Sequence, residues 1–256
     1  MNLIDSILLG ILQGLTEFLP ISSSGHLVLA QYFLGITEKG VLIEVVLHMG
    51  TLAAVLFYFW NDLQKLLKGL IEGDLYSRKY FYYLCIATIP IASVGFLLND
   101  FIKSMFIPSV VIIMLIINSL VIFCTYFFIN RSTNQLSLLI IFIIGMVQVF
   151  ALMPGISRSG VTISIAIIMG VRNMEAAKFS FLLAIPGLIG AGILEFYNIG
   201  IIEDVLIINL VMGFLSSALI GYLVISWLLN IISKGKFYYF SLYCMSLAII
   251  SYILIN

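Results

Sequence analysis

The sequence predicts an all-α, polytopic helical membrane protein: an inverted-topology repeat with two re-entrant half-helix hairpins and six full spans in one membrane domain. Three observations predict it. The 256 residues are 62% hydrophobic and 9% charged, with a mean hydropathy of +1.21, where soluble domains run about 45–50% apolar and about 25% charged. The apolar runs are of membrane length and do not alternate with polar residues, unlike the strands of a membrane β-barrel. One polar stretch inside them occurs twice. Gly10–Leu27, GILQGLTEFLPISSSGHL, lies without a gap over Gly145–Thr162, GMVQVFALMPGISRSGVT, when the register shifts by 135 residues. Gly10 then falls on Gly145, Gln13 on Gln148, Ile21-Ser22 on Ile156-Ser157 and Ser24-Gly25 on Ser159-Gly160, while Ser23 faces Arg158.

In chain order, 3–34 is apolar but broken at Pro20–Gly25. Each arm is at or below the roughly 20 residues needed to span. The break holds proline, glycine and three serines, residues that stop one helix and cap the next. It reads as two half-helices meeting in a re-entrant loop, tolerated at membrane depth only when buried in protein or lining a cavity. Spans are expected at 41–60, 80–98 and 107–129, with Asn61–Lys79 as a polar loop. The broken pattern returns over 136–169 around Pro154–Gly160, followed by spans at 176–197, 205–231 and 237–254. Pro186-Gly187 is expected to break the fourth of these spans, 176–197, to make room for the neighbouring hairpin. Cys85, Cys124 and Cys244 lie in apolar runs without disulfide or metal spacing and read as small buried hydrophobes.

Each half, about 1–130 and 136–256, is thus one hairpin plus three spans. A hairpin returns to its own side and three spans do not, so the second half starts on the opposite face; in such folds the broken helices build the site near the midplane. Lys65, Lys68, Arg78, Lys79, Arg131, Arg172, Lys178, Lys234 and Lys236 fall on the face away from the N-terminus, and Lys39 and Lys103 on the other. Nine against two makes the first face cytoplasmic. Both termini and the mouth of the first hairpin are then extracytoplasmic. No segment at Met1 has a basic n-region or a small-residue cleavage site, so no signal peptide is expected.

The chemistry is expected at the two loop tips. Ser22, Ser23, Ser24 and Gly25 precede one half-helix, and Ser157, Arg158, Ser159 and Gly160 the other. A helix N-terminus offers unpaired N–H groups and about half a positive charge. Serine hydroxyls add donors, and Arg158 a planar fork suited to phosphate oxygens. Two such ends facing each other suit a diphosphate; the competing reading makes the serines simple N-caps. Glu17 shares a helix face with Gln13 at i and i+4. A carboxylate facing an anion reads as a general acid/base, as a Mg²⁺ or Ca²⁺ ligand, or as an ion-pair partner of Arg158. His26, a natural proton carrier near neutrality, is either the base in a Ser23–His26–Glu17 relay, a nucleophile itself, or a histidine satisfied by a loop carbonyl. Glu44 and His48, again i and i+4, and Gln148 and Thr162 stand as supporting residues around this site.

GxxQGLTEFLPISSSGH and PGISRSGVT, with the flanks LIEVVLHMGTLAAV and EAAKFSFLLAIPG, resemble the two signatures of the undecaprenyl-diphosphate phosphatases, the bacitracin-resistance membrane proteins, across essentially the whole chain. The resemblance implies an integral membrane phosphatase of cell-envelope synthesis. It removes the terminal phosphate of a C55 polyprenyl diphosphate and is stimulated by divalent cations. It implies that Gln13 and Glu17 bracket the first signature, and that the essential histidine, serine and arginine are His26, Ser23 and Arg158. His48 stands where that family more often carries Gln. The expected partners are the polyprenyl diphosphate and the bilayer; net charge zero argues against nucleic acid, and a homodimer is allowed. The rival reading is a transporter or flippase of the same lipids, because inverted repeats with broken helices mark transporters.

Overall fold

The computed structural model describes residues 3–34, 41–128, 135–197 and 206–255. Among them are twelve α-helices and no strand. Lys39 and Arg131 of the charge count lie outside the described residues, as do the expected span ends at Ile129 and Val205.

The first broken helix consists of α1 (Leu3–Phe18) and α2 (Ser23–Leu34). Pro20 disfavours helix at Leu19 and offers no N–H, so α1 stops at Phe18. Ser22 crosses the gap with a left-handed φ of 69°. The second is α8 (Leu138–Val147), a 3-10 turn over Gln148–Leu152, and α9 (Arg158–Ile168). There Gly155 takes a φ of 104°, and a Cβ on it would lie 2.6 Å from the Val111 carbonyl. Only glycine fits both the dihedral and the space.

Between and after them run α3 (Val41–Tyr58), α4 (Trp60–Glu72), α5 (Leu75–Leu97), α6 (Asn99–Ser104), α7 (Pro108–Cys124), α10 (Asn173–Tyr197), α11 (Ile207–Ser233) and α12 (Tyr239–Ile255). Among the described residues four stretches are long and apolar enough to cross a bilayer: Leu75–Leu97, Pro108–Phe127, Asn173–Ile193 and Ile207–Ser233. Leu42–Tyr58 with Trp60–Glu72 makes a fifth if taken as one span, but the pair is bent by 72°.

The sequence expectation fails in three places. Asn61–Lys79 is not a loop: α4 fills most of it and α5 begins at Leu75. Lysines hid an amphipathic helix whose Leu63 and Leu66 pack on the core. Pro186 lies inside α10 without ending it, because packing on both sides holds the helix through the missing hydrogen bond. Cys85 and Cys124 are exposed on outward helix faces, and of the three cysteines Cys244 alone is buried.

Small residues bring the helices together. Cβ atoms on Gly10 and Gly14 would stand 2.5 and 2.8 Å from carbonyls of α11, and one on Gly50 of α3 would stand 2.6 Å from the Phe214 carbonyl. Ser217 of α11 donates to the Leu47 carbonyl of α3 at 2.8 Å. Such close backbone approach drives association where lipid removes the hydrophobic gain. Further packed pairs are α5 with α8 and with α10, α3 with α10, and α7 with α12. Of the Leu75–Leu97 window only 17% is buried, against 56% for Asn173–Ile193. Helix α10 is therefore central, and it is the helix against which the second loop tip leans.

Candidate active site

The two loop tips meet. A Cβ on Gly25 would lie 3.0 Å from Gly155 Cα, and the Gly155 N–H donates to Ser22 Oγ at 3.1 Å. Ser157 and Ser159 both donate to the Leu19 carbonyl, at 3.2 and 3.3 Å. Asn118 of α7 ties the tips together: its Nδ2 donates to the Pro20 carbonyl at 3.0 Å, and its Oδ1 accepts from the Ser157 N–H at 3.0 Å. Cys244 of α12 lies against the same carbonyl, 3.5 Å away.

These bonds sort the serines. Ser22 Oγ also accepts from the Gly25 N–H at 3.2 Å, and Ser157 Oγ from the Gly160 N–H at 3.1 Å. Both are caps, and Ser22, Ser157 and Ser159 are buried. Ser24 lies 3.3 Å from Ser22 Oγ. Ser23 points elsewhere, donating to Glu17 Oε2 at 2.9 Å.

Glu17 is the hub. Oε2 also accepts from Gln13 Nε2 at 3.1 Å, and Oε1 from Arg158 Nη2 at 2.8 Å. Arg158 enters from the other hairpin, and its Nη1 donates to the Ala184 carbonyl of α10 at 3.1 Å. The expected room at Pro186-Gly187 is filled by this guanidinium: a Cβ on Gly187 would stand 3.1 Å from Nη1. The Glu17 and Arg158 side chains are 9% and 19% exposed, so the pair is screened little and its partners are held firmly.

The remaining residues separate from this hub. His26 bonds neither Ser23 nor Glu17: Nδ1 lies 2.8 Å from the Ser22 carbonyl and Nε2 2.8 Å from the Tyr243 hydroxyl. His48 Nδ1 reaches the Glu44 carbonyl at 2.8 Å. Gln148, the register mate of Gln13, donates to the Ala87 carbonyl. Thr162 bonds the Arg158 carbonyl at 2.7 Å and Ser180 at 2.6 Å, bracing α9 against α10. Sequence reasoning missed Asn118 and Tyr243. The signal for Asn118 was present: an amide in the middle of an apolar run needs a partner.

For a divalent cation the donors at the tips are one carboxylate, Glu17, the amides of Gln13 and Asn118, the His26 ring and hydroxyls. No group of three His, Cys, Asp or Glu converges among the described residues. This set fits a cation that is carried by phosphate oxygens and keeps several waters, as Mg²⁺ does, and not a closed all-protein cage.

Several apolar helices and a screened carboxylate–guanidinium pair at two broken-helix tips define a multi-pass membrane protein with an internal polar site. The chain belongs to the family of the bacitracin resistance protein BacA, whose model matches residues 6–250. It is 38% identical over 255 residues to the undecaprenyl-diphosphatase of Caldicellulosiruptor bescii, covering 97% of this chain and 96% of that one. The undecaprenyl-diphosphatase of Methanobrevibacter smithii is 36% identical over 273 residues, covering 98% and 96%. That of Bacteroides thetaiotaomicron is 33% identical over 252 residues, covering 95% and 96%.

Proposed function

We propose that this protein is an integral membrane phosphatase that hydrolyses undecaprenyl diphosphate, or a similar polyprenyl diphosphate, to the monophosphate and phosphate. That would recycle the carrier lipid of cell-wall synthesis and confer bacitracin resistance. One observation carries the reading beyond the names of the relatives: hydroxyl, base and guanidinium form one hydrogen-bonded chain, Ser23–Glu17–Arg158, across both hairpins. The rival reading, a flippase, is not favoured by relatives named as diphosphatases and does not need a serine bonded to a carboxylate.

The mechanism follows from the competition for Arg158. The terminal phosphoryl oxygens displace Glu17 from the guanidinium, whose fork suits them. Glu17, freed on one oxygen, accepts the Ser23 proton through the bond already in place. Ser23 Oγ attacks the terminal phosphorus in line, the bridging P–O bond breaks, and Glu17 returns the proton to the departing lipid monophosphate. Water then attacks the phosphoserine, giving its proton to Glu17 and from there to Ser23. Arg158 holds charge on the phosphoryl oxygens throughout, and such positioning and charge stabilisation carry most of phosphoryl-transfer catalysis. A Mg²⁺ or Ca²⁺ ion, held by Glu17 with Gln13 as the weaker ligand, would neutralise diphosphate charge when bound. His26 is not the base for Ser23 in this reading; its Nε2 is open to the diphosphate once the Tyr243 hydroxyl moves aside.

The architecture proposed for this chemistry is the inverted repeat: two re-entrant hairpins, six spans, and both termini extracytoplasmic. Helix pairings support it. Under the 135-residue shift α1 corresponds to α8, α3 to α10, α5 to α11 and α7 to α12. The pair α1–α11 is then matched by α8–α5, and α3–α11 by α10–α5, while α3–α10 and α7–α12 map onto themselves. Exchange of partners in this way is what a pseudo-twofold axis generates. The deciding experiment is phosphate release from undecaprenyl or farnesyl diphosphate by purified protein in detergent, with and without chelator. Binding or translocation of the lipid with no release overturns the enzyme reading.

A further inference from the structure

His26 is held at both ends of its ring, and the second partner comes from the far end of the chain. A backbone carbonyl only accepts, so the 2.8 Å contact to the Ser22 carbonyl puts the proton on Nδ1. Nε2 is then an acceptor, and the Tyr243 hydroxyl 2.8 Å away donates to it. The rings stack as well, with centroids 5.7 Å apart and planes inclined by 9°. The Ser22 end is fixed through the Gly155 N–H on Ser22 Oγ. The Tyr243 end is fixed by α12, where Ser241 O accepts from Ser119 at 2.8 Å and Cys244 lies against the Pro20 carbonyl. Tyr243 itself is 46% exposed, so its hydroxyl has room to move away.

We propose that Tyr243 is the positioning residue of His26: its hydroxyl holds the Nε2 lone pair and its ring holds the plane of the imidazole, so that Nε2 meets the diphosphate in one orientation. A basic or nucleophilic nitrogen works only from the right tautomer and the right angle, and a partner on the histidine ring supplies both. The Ser22 carbonyl sets the tautomer; a single bond at Nδ1 leaves the ring free to tilt about it. The hydroxyl and the stack remove that freedom. On substrate binding Nε2 exchanges the phenol's proton for one shared with a diphosphate oxygen, forming no covalent bond, and the stacked ring stays as its wall.

The proposal rests on the phosphatase reading for its kinetic arm only. The chain has two histidines, so ¹⁵N spectra of histidine-labelled protein in detergent assign His26 by comparison with His26→Gln and His48→Gln. Wild-type His26 should show a protonated Nδ1 and a hydrogen-bonded Nε2 acceptor. Tyr243→Phe keeps the stack and should move the Nε2 resonance to that of an unbonded acceptor. Its kcat should fall on the order of 10–100-fold, the scale at which removing an orienting partner acts on metal-bound histidines, with KM changed less than about threefold. Tyr243→Leu should lose more. A wild-type Nε2 already unbonded, or Tyr243→Phe with an unmoved resonance and unaltered kcat, overturns the proposal, and the first result needs no substitution at Tyr243. If wild type releases no phosphate yet Tyr243→Phe moves Nε2, the phosphatase reading fails and the placement of Tyr243 stands.

Discussion

Arg158 and Glu17 are the residues whose roles are separable by substitution. A lysine at 158 keeps the charge but cannot bond Glu17 and the Ala184 carbonyl with one planar fork. Arg158→Lys should raise the barrier by about 2.7–4 kcal/mol, the cost of losing one oxyanion donor, measured as kcat for phosphate release; near-wild-type turnover would make the arginine a strut between hairpins. Glu17→Gln should be nearly inactive, yet it should fold, because an amide still bonds Ser23 and Gln13. The nucleophile is read from a trapped phosphoenzyme. Ser23 beside Glu17 predicts acid-stable phosphate on serine, whereas acid-labile phosphate would assign the attack to His26. At this scale Ser23, Glu17 and Arg158 were legible because each is a costly polar group in an apolar run. Asn118 and Tyr243 were not: their partners Pro20 and His26 lie 98 and 217 residues away, and no local spacing encodes such a contact.

Element boundaries follow local chemistry where caps exist. Gly73 ends α4 in the left-handed region, and Asp74 caps α5 by accepting from the Ser77 N–H at 2.8 Å and its hydroxyl at 2.7 Å. The Ser77 hydroxyl and then its N–H hold the Asp74 carboxyl below the ordinary carboxylate range. The folded pKa is lowered, so the contribution is complete above the unfolded value and is lost as pH falls through the folded one. Asp74→Asn should therefore lower Tm at neutral pH, and the gap to wild type should close as the scan moves below about pH 4, near the ordinary aspartate value. At the α1–α11 contact, Gly14→Leu inserts a side chain where a Cβ already meets the Ser217 carbonyl at 2.8 Å. About 1–3 kcal/mol of destabilisation is expected from overpacking, read by thermal unfolding in detergent. Helix α4 is illegible from composition, because its polar residues suit a loop equally well; the helical spacing of Leu63, Leu66, Leu67 and Leu70 is the better guide.

Sidedness belongs to the whole molecule. The basic face includes the end of α4 and the start of α5, where Tyr76 is exposed, and Asp100 of α6 is exposed toward the other face. Ser77 is unsuitable for labelling because it is buried against Asp74. In a background without Cys85, Cys124 and Cys244, an impermeant thiol reagent on intact cells should label Asp100→Cys and spare Tyr76→Cys. The reverse pattern would invert the orientation and put the mouth of the first hairpin in the cytoplasm. What the sequence by itself determined is the membrane class, the two broken helices and their register. Hydropathy and proline–glycine breaks are local properties, and a repeat is visible wherever its copies keep their residues. What only the tertiary structure decided is which of those polar residues meet. Gln13 and Gln148 occupy the same register, yet one bonds Glu17 and the other the Ala87 carbonyl. Ser22 and Ser157 are consumed as caps, while Ser23 is left to Glu17. The physical reason is that a buried polar group must be paired, and which partner it takes depends on the helix packed beside it, not on its neighbours in the chain.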